Sequence, residues 1–285
     1  MISKPVMLLL LSLGLFSCRM APLNTGAYKV LQQHALPAEL SESSGLYCSK
    51  EGGIYTINDS GNEPVVYQLS EDGQIESMLS LSAKNVDWEA ITGDQTHFYV
   101  ADIGNNKGDR HFLTVYKYGK QIQSSAHPKA IEIGYKYNYP ADNEYLHHDF
   151  DAEALVARGQ HLVLFSKSWK SQVLNVYLLD KETDQQTLQA FATLDNLPGV
   201  VTGADFDNKN QRYVLVGYRR GPLGLAEPFV AVLNVDFELQ YWHELEGFAQ
   251  VEGVCAHPNG ELWFTQEDSF FGENKLVKIQ LASED

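Results

Sequence analysis

Basic residues are scarce in this chain: 21 Lys and Arg stand against 37 Asp and Glu, a net charge of −16. A surface so acidic excludes a nucleic-acid polymer as partner, because phosphate backbones demand positive charge. It also excludes adhesion of the folded surface to anionic lipid. Cysteine is scarcer still, with three in 285 residues. No segment sustains a 3.6-residue apolar period, which argues against a helical architecture. Long apolar runs are missing apart from one at residues 6–16, VMLLLLSLGLF. That run is short of the roughly 20 residues needed to span a bilayer. No P-loop, nucleophile elbow or zinc-hydrolase signature is present.

The one apolar run has the shape of an export signal, with Lys4 before it and LFSC at its end. Ser17 followed by Cys18 resembles the bacterial lipobox. That implies a signal peptide over residues 1–17, a lipid on Cys18 and a linker over residues 18–26, so that membrane contact comes through lipid alone. Arg19, in place of Asp, favours the outer membrane of a Gram-negative envelope, facing the periplasm. Residues 27–285 then form the single folded domain.

Within that domain a short phrase recurs five times: ESSGLYC at 42–48, DWEAI at 87–91, DAEAL at 151–155, VTGAD at 201–205 and VEGVC at 251–255. Each has an oxygen-bearing residue, then Gly or Ala. The oxygen bearers are Ser44, Glu89, Glu153, Thr202 and Glu252, separated by 45, 64, 49 and 50 positions. A period of 40–50 residues marks a propeller. Between phrases run short β-rich segments split by Gly, Asn, Asp and Pro. In the third unit these end with QTLQAFATL as a fourth strand. The fifth unit holds only three strands, and AYKVLQQHAL near the start supplies the fourth. These features predict an all-β, five-bladed β-propeller closed by an N-terminal outer strand. A six-bladed ring is the alternative, because the 64-residue interval is long; its surplus, residues 135–150, reads as a loop insertion. Cys48 follows its oxygen bearer by four residues and Cys255 by three. They are therefore expected on opposite faces, as two buried thiols, with a disulfide, which an exported compartment permits, as the alternative.

Equivalent positions in the inner strands of a propeller meet around the axis. Three glutamates and two hydroxyls would converge there, and like charges in a confined space are costly unless protonated or neutralised. Calcium, with 6–8 oxygen ligands, is the cation such a ring suits. Asp87 and Asp151, beside two of the glutamates, are further ligand candidates. The alternative is a set of hydrated polar groups in a water-filled channel.

The order Ser–Glu–Glu–hydroxyl–Glu around a five-bladed ring resembles the calcium-activated nucleotidases, the soluble apyrases. Their axial calcium is held by Ser, Glu, Glu, Ser and Glu from successive blades. Ser44, Glu89, Glu153 and Glu252 match that order, with Thr202 where the family has Ser. GGIYTINDSGNEPVVYQL is also similar in cadence to the family's second and third strands. The resemblance implies a calcium-dependent phosphohydrolase acting on nucleotides.

The loops between second and third strands belong to the same mouth. They carry Asn58, Asp59, Asp102, Lys107, Arg110, Lys167, Lys170, Arg219, Arg220 and Glu267. Asn58, Arg110, Lys167, Lys170, Arg219 and Arg220 are the candidates for holding an anionic small molecule, since Arg grips phosphate or carboxylate in a fork. Trp169, Tyr218, Phe270 and Phe271 are candidates for stacking on a ring. Asp59, Asp102 and Glu267 are the candidate general bases. His147 and His148 read as plain loop residues. Three functions fit: a calcium-dependent hydrolase of phosphate esters or anhydrides, a non-catalytic calcium-stabilised propeller that binds a protein, glycan or envelope component, or a glycosidase using a carboxylate pair.

Overall fold

The computed structural model describes residues 27–120, 127–221, 225–268 and 272–282. The leader, Cys18, Phe270 and Phe271 lie outside these residues.

Five antiparallel blades surround one axis. The first contains β2 (Ser43–Cys48), β3 (Ile54–Asn58), β4 (Val65–Leu69) and β5 (Ile75–Ser80). The second contains β6 (Trp88–Gly93), β7 (His97–Asp102), β8 (Leu113–Gly119) and β9 (Lys129–Tyr135). The third contains β10 (Ala152–Arg158), β11 (His161–Ser166), β12 (Leu174–Asp180) and β14 (Ala192–Leu194). The fourth contains β15 (Val200–Asp207), β16 (Arg212–Arg220), β17 (Ala226–Leu233) and β18 (Leu239–Glu244). In the fifth, β19 (Val251–Ala256), β20 (Leu262–Gln266) and β21 (Lys275–Leu281) are completed by β1 (Tyr28–Ala35), which pairs antiparallel with β21. The N-terminal strand closes the ring as the repeat predicts, and no sixth blade is needed.

Burial grades outward from the axis. Every residue of β2 is buried, whereas β5 and β18 are partly or wholly exposed along their length. The inner strands touch in sequence around the axis: β2 on β6, β6 on β10, β10 on β15, β15 on β19 and β19 on β2. Five apolar clusters fill the wedges between adjacent blades. Closure of this kind leaves only short outer edges to protect.

Two details depart from the sequence reading. QTLQAFATL is not one strand: β13 (Gln185–Leu188) crosses to the second blade and pairs parallel with β9, and only Ala192–Leu194 stays with the third. Lys117 and Lys129 on the second blade hold Glu182 just ahead of that crossing, at 2.6 and 3.8 Å.

Cys48 and Cys255 form a disulfide, with Cα atoms 5.4 Å apart, rather than two free thiols. The two cysteines do point to opposite faces of their own blades, but neighbouring blades stack face to face, so Cys48, facing the last blade, meets Cys255, facing the first, within one apolar cluster. The bridge joins the first and last blades across 207 residues, beside the seam where β1 completes the ring. A cross-link of that span stabilises a chain by about 2–5 kcal/mol, largely by restricting the unfolded ensemble.

Candidate functional site

Each of the five inner strands bulges at the repeated phrase. The pairing slips between Ser44 and Leu46, Trp88 and Ala90, Ala152 and Ala154, Val201 and Gly203, and Val251 and Val254. A bulge turns a side chain out of the regular pleat, and here it does so at the oxygen bearers. Ser44, Glu89, Glu153 and Glu252 line one cavity of about 200 Å³ at the mouth. Thr202 is fully buried and donates its hydroxyl to the carbonyl of Val251 at 2.6 Å, so it serves the backbone. Ser44 Oγ donates to the Glu89 carbonyl at 3.0 Å and lies 3.3 Å from its carboxylate.

The small residue after each oxygen bearer is required by proximity. A Cβ on Gly45 would come 2.8 Å from the backbone of Ala90, and one on Gly253 would come 2.9 Å from the backbone of Gly45. Gly45 also has φ +60, a left-handed conformation natural to glycine. Below the carboxylates the strands therefore touch, and the channel narrows to a neck of about 10 Å³.

The sequence reading places Lys167 on the rim as an anion binder. In the structure its ammonium is buried and ion-paired with Glu153, 4.8 Å from the Trp169 ring centroid and 5.5 Å from that of Tyr218. Its backbone N–H donates to the Asp151 carbonyl at 2.8 Å, which seats it two residues from Glu153 across the β10–β11 hairpin. Burial disfavours the charged ammonium, but the carboxylates of Glu153, Glu252 and Asp151 outweigh it and lift its pKa well above the ordinary lysine range. The chain thus supplies its own cation to the acidic ring.

The remaining carboxylates are held away from their usual pKa. Burial, reinforced by the charges of Glu153 and Asp59, pushes Glu89 well up. Burial together with Glu252 and Asp59 raises Glu267 to about 9, against the ordinary 4.5. At neutral pH Glu267 is a proton donor rather than the general base the sequence suggests. Asp87 rises to about 6 through burial and the charges of Asp59 and Asp151, with Arg110 opposing. Carboxylate oxygens of Asp59, Asp87 and Glu89 lie within 4.8 Å of one another. Gly104 makes this possible, since any Cβ there would overlap both Glu89 and Asp87.

Several sequence candidates have structural employment. Asp102 is buried in an ion pair with Arg110 at 2.6 Å and accepts from the Val86 N–H, so neither it nor Arg110 faces the cavity. Asn58 donates to the Glu39 carbonyl at 2.7 Å. Asp151 accepts from the Trp169 indole N–H at 2.8 Å and from the Asn105 N–H at 2.6 Å, which fixes Trp169 on the cavity wall. Lys170 is exposed, with no place on the cavity wall. Arg219 and Arg220 line a second cavity of about 380 Å³ that shares Leu146, Trp169 and Tyr218 with the first. Arg219 pairs with Glu227 and Glu244, while Arg220 lies 5.5 Å from the Trp169 ring centroid. His148 is buried and accepts the Phe150 N–H.

The site also uses residues that the sequence reading passes over. Asn106, Tyr145 and Leu146 overhang the acidic cavity, the last two from the insertion over residues 135–150. Gln250 donates to Glu267 at 2.7 Å. The register of the β10–β11 hairpin, counted back from its turn at Gly159, is the one sequence-accessible signal that would have placed Lys167 opposite Asp151.

No family model matches the chain, and no curated protein matches it. Among solved structures it is similar to the PQQ-bound form of aldose sugar dehydrogenase (Adh) from Streptomyces coelicolor, with a TM-score of 0.51 and 12% identity over 92% of this chain and 100% of that one. It is also similar to a protein of unknown function from Bacteroides caccae, with a TM-score of 0.45 and 12% identity over 78% of this chain and 69% of that one. The likeness to the sugar dehydrogenase bears on fold alone. It supports the propeller.

Two outcomes follow from the buried charges. Lys167→Met leaves Glu153 in the ring without its counter-charge and is expected to cost about 3–5 kcal/mol in urea unfolding. The double variant Lys167→Met/Glu153→Gln should recover most of that loss; equal losses in both would refute the pairing. For Glu267, the folded carboxyl keeps its proton up to about 9, whereas the unfolded one releases it near 4.5. Its contribution to stability is complete below the lower value and is lost as pH rises through the upper one. Glu267→Gln should flatten the decline of Tm between about pH 6 and 9.

Proposed function

We propose that the mouth of this propeller binds a hard divalent cation, calcium in the first instance, and uses it to hold an anionic ligand. One observation carries the reading: Asp59, Asp87 and Glu89 bring three carboxylates within 4.8 Å, in a partly or wholly buried place where like charges repel. The donor set is all oxygen, the chemistry that calcium prefers. This differs from coordination by all five ring residues, because Glu153 pairs with Lys167 and Thr202 bonds a carbonyl. Ser44, next to Glu89, and Glu252, on the same cavity wall, are the remaining ring residues beside such an ion.

The neighbouring cavity suits the ligand's anionic part. Arg220 pairs with no carboxylate among the described residues, and Trp169 and Tyr218 form an aromatic wall between the two cavities. A bound divalent ion would polarise a phosphoryl oxygen or acidify a water. Beside it, Glu267 lines the same cavity and in its protonated form would donate to a leaving oxygen, and Lys167 balances Glu153. Hydrolysis of phosphate esters or anhydrides, nucleotides included, is the reaction this arrangement serves best. A second reading is non-catalytic capture of a glycan or other envelope component. It rests on Tyr145, which lines the mouth and is 68% exposed, and on Tyr137 and Tyr139 of the same insertion, 67% and 63% exposed. Lipid on Cys18 would tether the propeller in the outer membrane, and the Cys48–Cys255 bridge suits such an oxidising compartment.

Calcium titration followed by calorimetry and thermal melting tests the site. The ion should raise Tm by mass action, and Asp87→Asn or Glu89→Gln should abolish the rise. A melt indifferent to calcium removes the ion from both readings. Phosphate release from nucleoside diphosphates with calcium present favours hydrolysis; a calcium-dependent Tm without release favours capture. Intact mass of the chain isolated from its envelope should show loss of residues 1–17, added acyl groups and two hydrogens fewer than the reduced form. An unprocessed N-terminus would overturn the anchoring.

A further inference from the structure

We propose that the wedge between the first two blades is a second ligand site, distinct from the mouth, for a flat ring bearing a single acidic group. β2 enters the mouth with Ser44 and reaches this wedge with Tyr47, about 10 Å further along at the usual strand rise. The apolar cluster of this interface centres on Ile57, Trp88, Ile91 and Val100 and leaves space towards the opposite face. What remains is a cavity of about 440 Å³, larger than either cavity at the mouth. Its volume lies within the 300–1,000 Å³ typical of small-molecule sites.

The cavity is built by specific residues. Tyr47 and Tyr55 lie with ring centroids 5.9 Å apart and planes at 27°, forming one continuous aromatic face. Each ring rests where a glycine leaves room. A Cβ on Gly93 would fall 2.6 Å from the Tyr47 ring, and one on Gly53 would fall 2.8 Å from that of Tyr55. Neither glycine has a positive φ, so the rings, and not the backbone conformation, demand them. Val66, Leu79 and Phe98 form the apolar walls. A flat ring laid on this face gains stacking and burial together.

Charge defines the rest of the ligand. Lys120 lines the cavity and donates to the Tyr47 hydroxyl at 3.1 Å; no carboxylate of the described residues is in contact with it, although its charge helps hold the exposed Glu51 ionised. Its other N–H groups are available to one anionic oxygen. Glu51, exposed on the same lining, disfavours a second negative charge. That selects against polyanions such as phosphate anhydrides, which belong with the cation at the mouth.

The probe is 8-anilinonaphthalene-1-sulfonate, a flat aromatic with one acid group, followed by its fluorescence on the folded full chain. A saturable single site is expected. Ser77→Trp, which places an indole in the cavity from the exposed edge strand β5, should abolish it. Lys120→Met should weaken it roughly tenfold or more, the scale of one charge-assisted hydrogen bond. N-phenyl-1-naphthylamine, which lacks the sulfonate, should bind more weakly, yield to Ser77→Trp and ignore Lys120→Met. Asp87→Asn should leave both probes unaffected, which separates this site from the mouth. Absence of saturable binding, persistence in Ser77→Trp, or indifference of the sulfonate probe to Lys120→Met would each overturn the assignment.

Discussion

Three glutamates pressed into one buried ring around a single lysine set the terms for the rest of this molecule. Glu89, Glu153 and Glu252 are each at least nine-tenths buried, as is Lys167. Charges of one sign at that depth are tolerated only if a counter-charge, a proton or an ion offsets them. The fold provides one such offset internally, the Lys167–Glu153 pair, clamped beside Trp169 by the bond from its indole to Asp151. The surplus negative charge then falls on the Asp59, Asp87 and Glu89 side of the ring, which has no ion pair with a lysine among the described residues. The asymmetry of the mouth follows. One side is acidic and suits a cation; the other is aromatic and basic, with Arg220 at its edge.

Such a ring persists only if the blades cannot spread. Three ties oppose spreading. β1 completes the last blade, the Cys48–Cys255 bridge joins that blade to the first, and β13 carries the chain of the third blade onto the second. The backbones also meet directly below the carboxylates, where Gly45 and Gly253 allow contact. That neck separates the mouth from the far side of the ring, so the acidic cavity opens in one direction only.

The blade number, the closing strand and the identity of the ring residues were legible because a propeller repeats, and a fivefold axis returns equivalent positions to one place. Ser44, Glu89, Glu153 and Glu252 are recoverable from the spacing of a five-letter phrase. The partners of those residues were not. Asp102 and Arg110 look like a general base and an anion binder in the text, yet each neutralises the other. Lys167 looks like a rim residue because loops are usually exposed, and only the register of the β10–β11 hairpin turns it inward. The disulfide was missed because opposite faces of two blades become facing surfaces once the blades stack around the axis.

By itself the sequence determined what depends on periodicity and composition: an acidic all-β chain, five blades, and oxygen-bearing residues at one height on each inner strand. Only the tertiary structure decided which charges meet. Pairing is a matter of a few ångströms, and the same Lys or Asp serves as binder, counter-ion or cap according to which neighbouring blade its side chain reaches. The wedge floored by Tyr47 and Tyr55 is likewise a product of packing. Its floor comes from the first blade and Ile91, Phe98 and Lys120 from the second, and nothing in either segment alone announces the other.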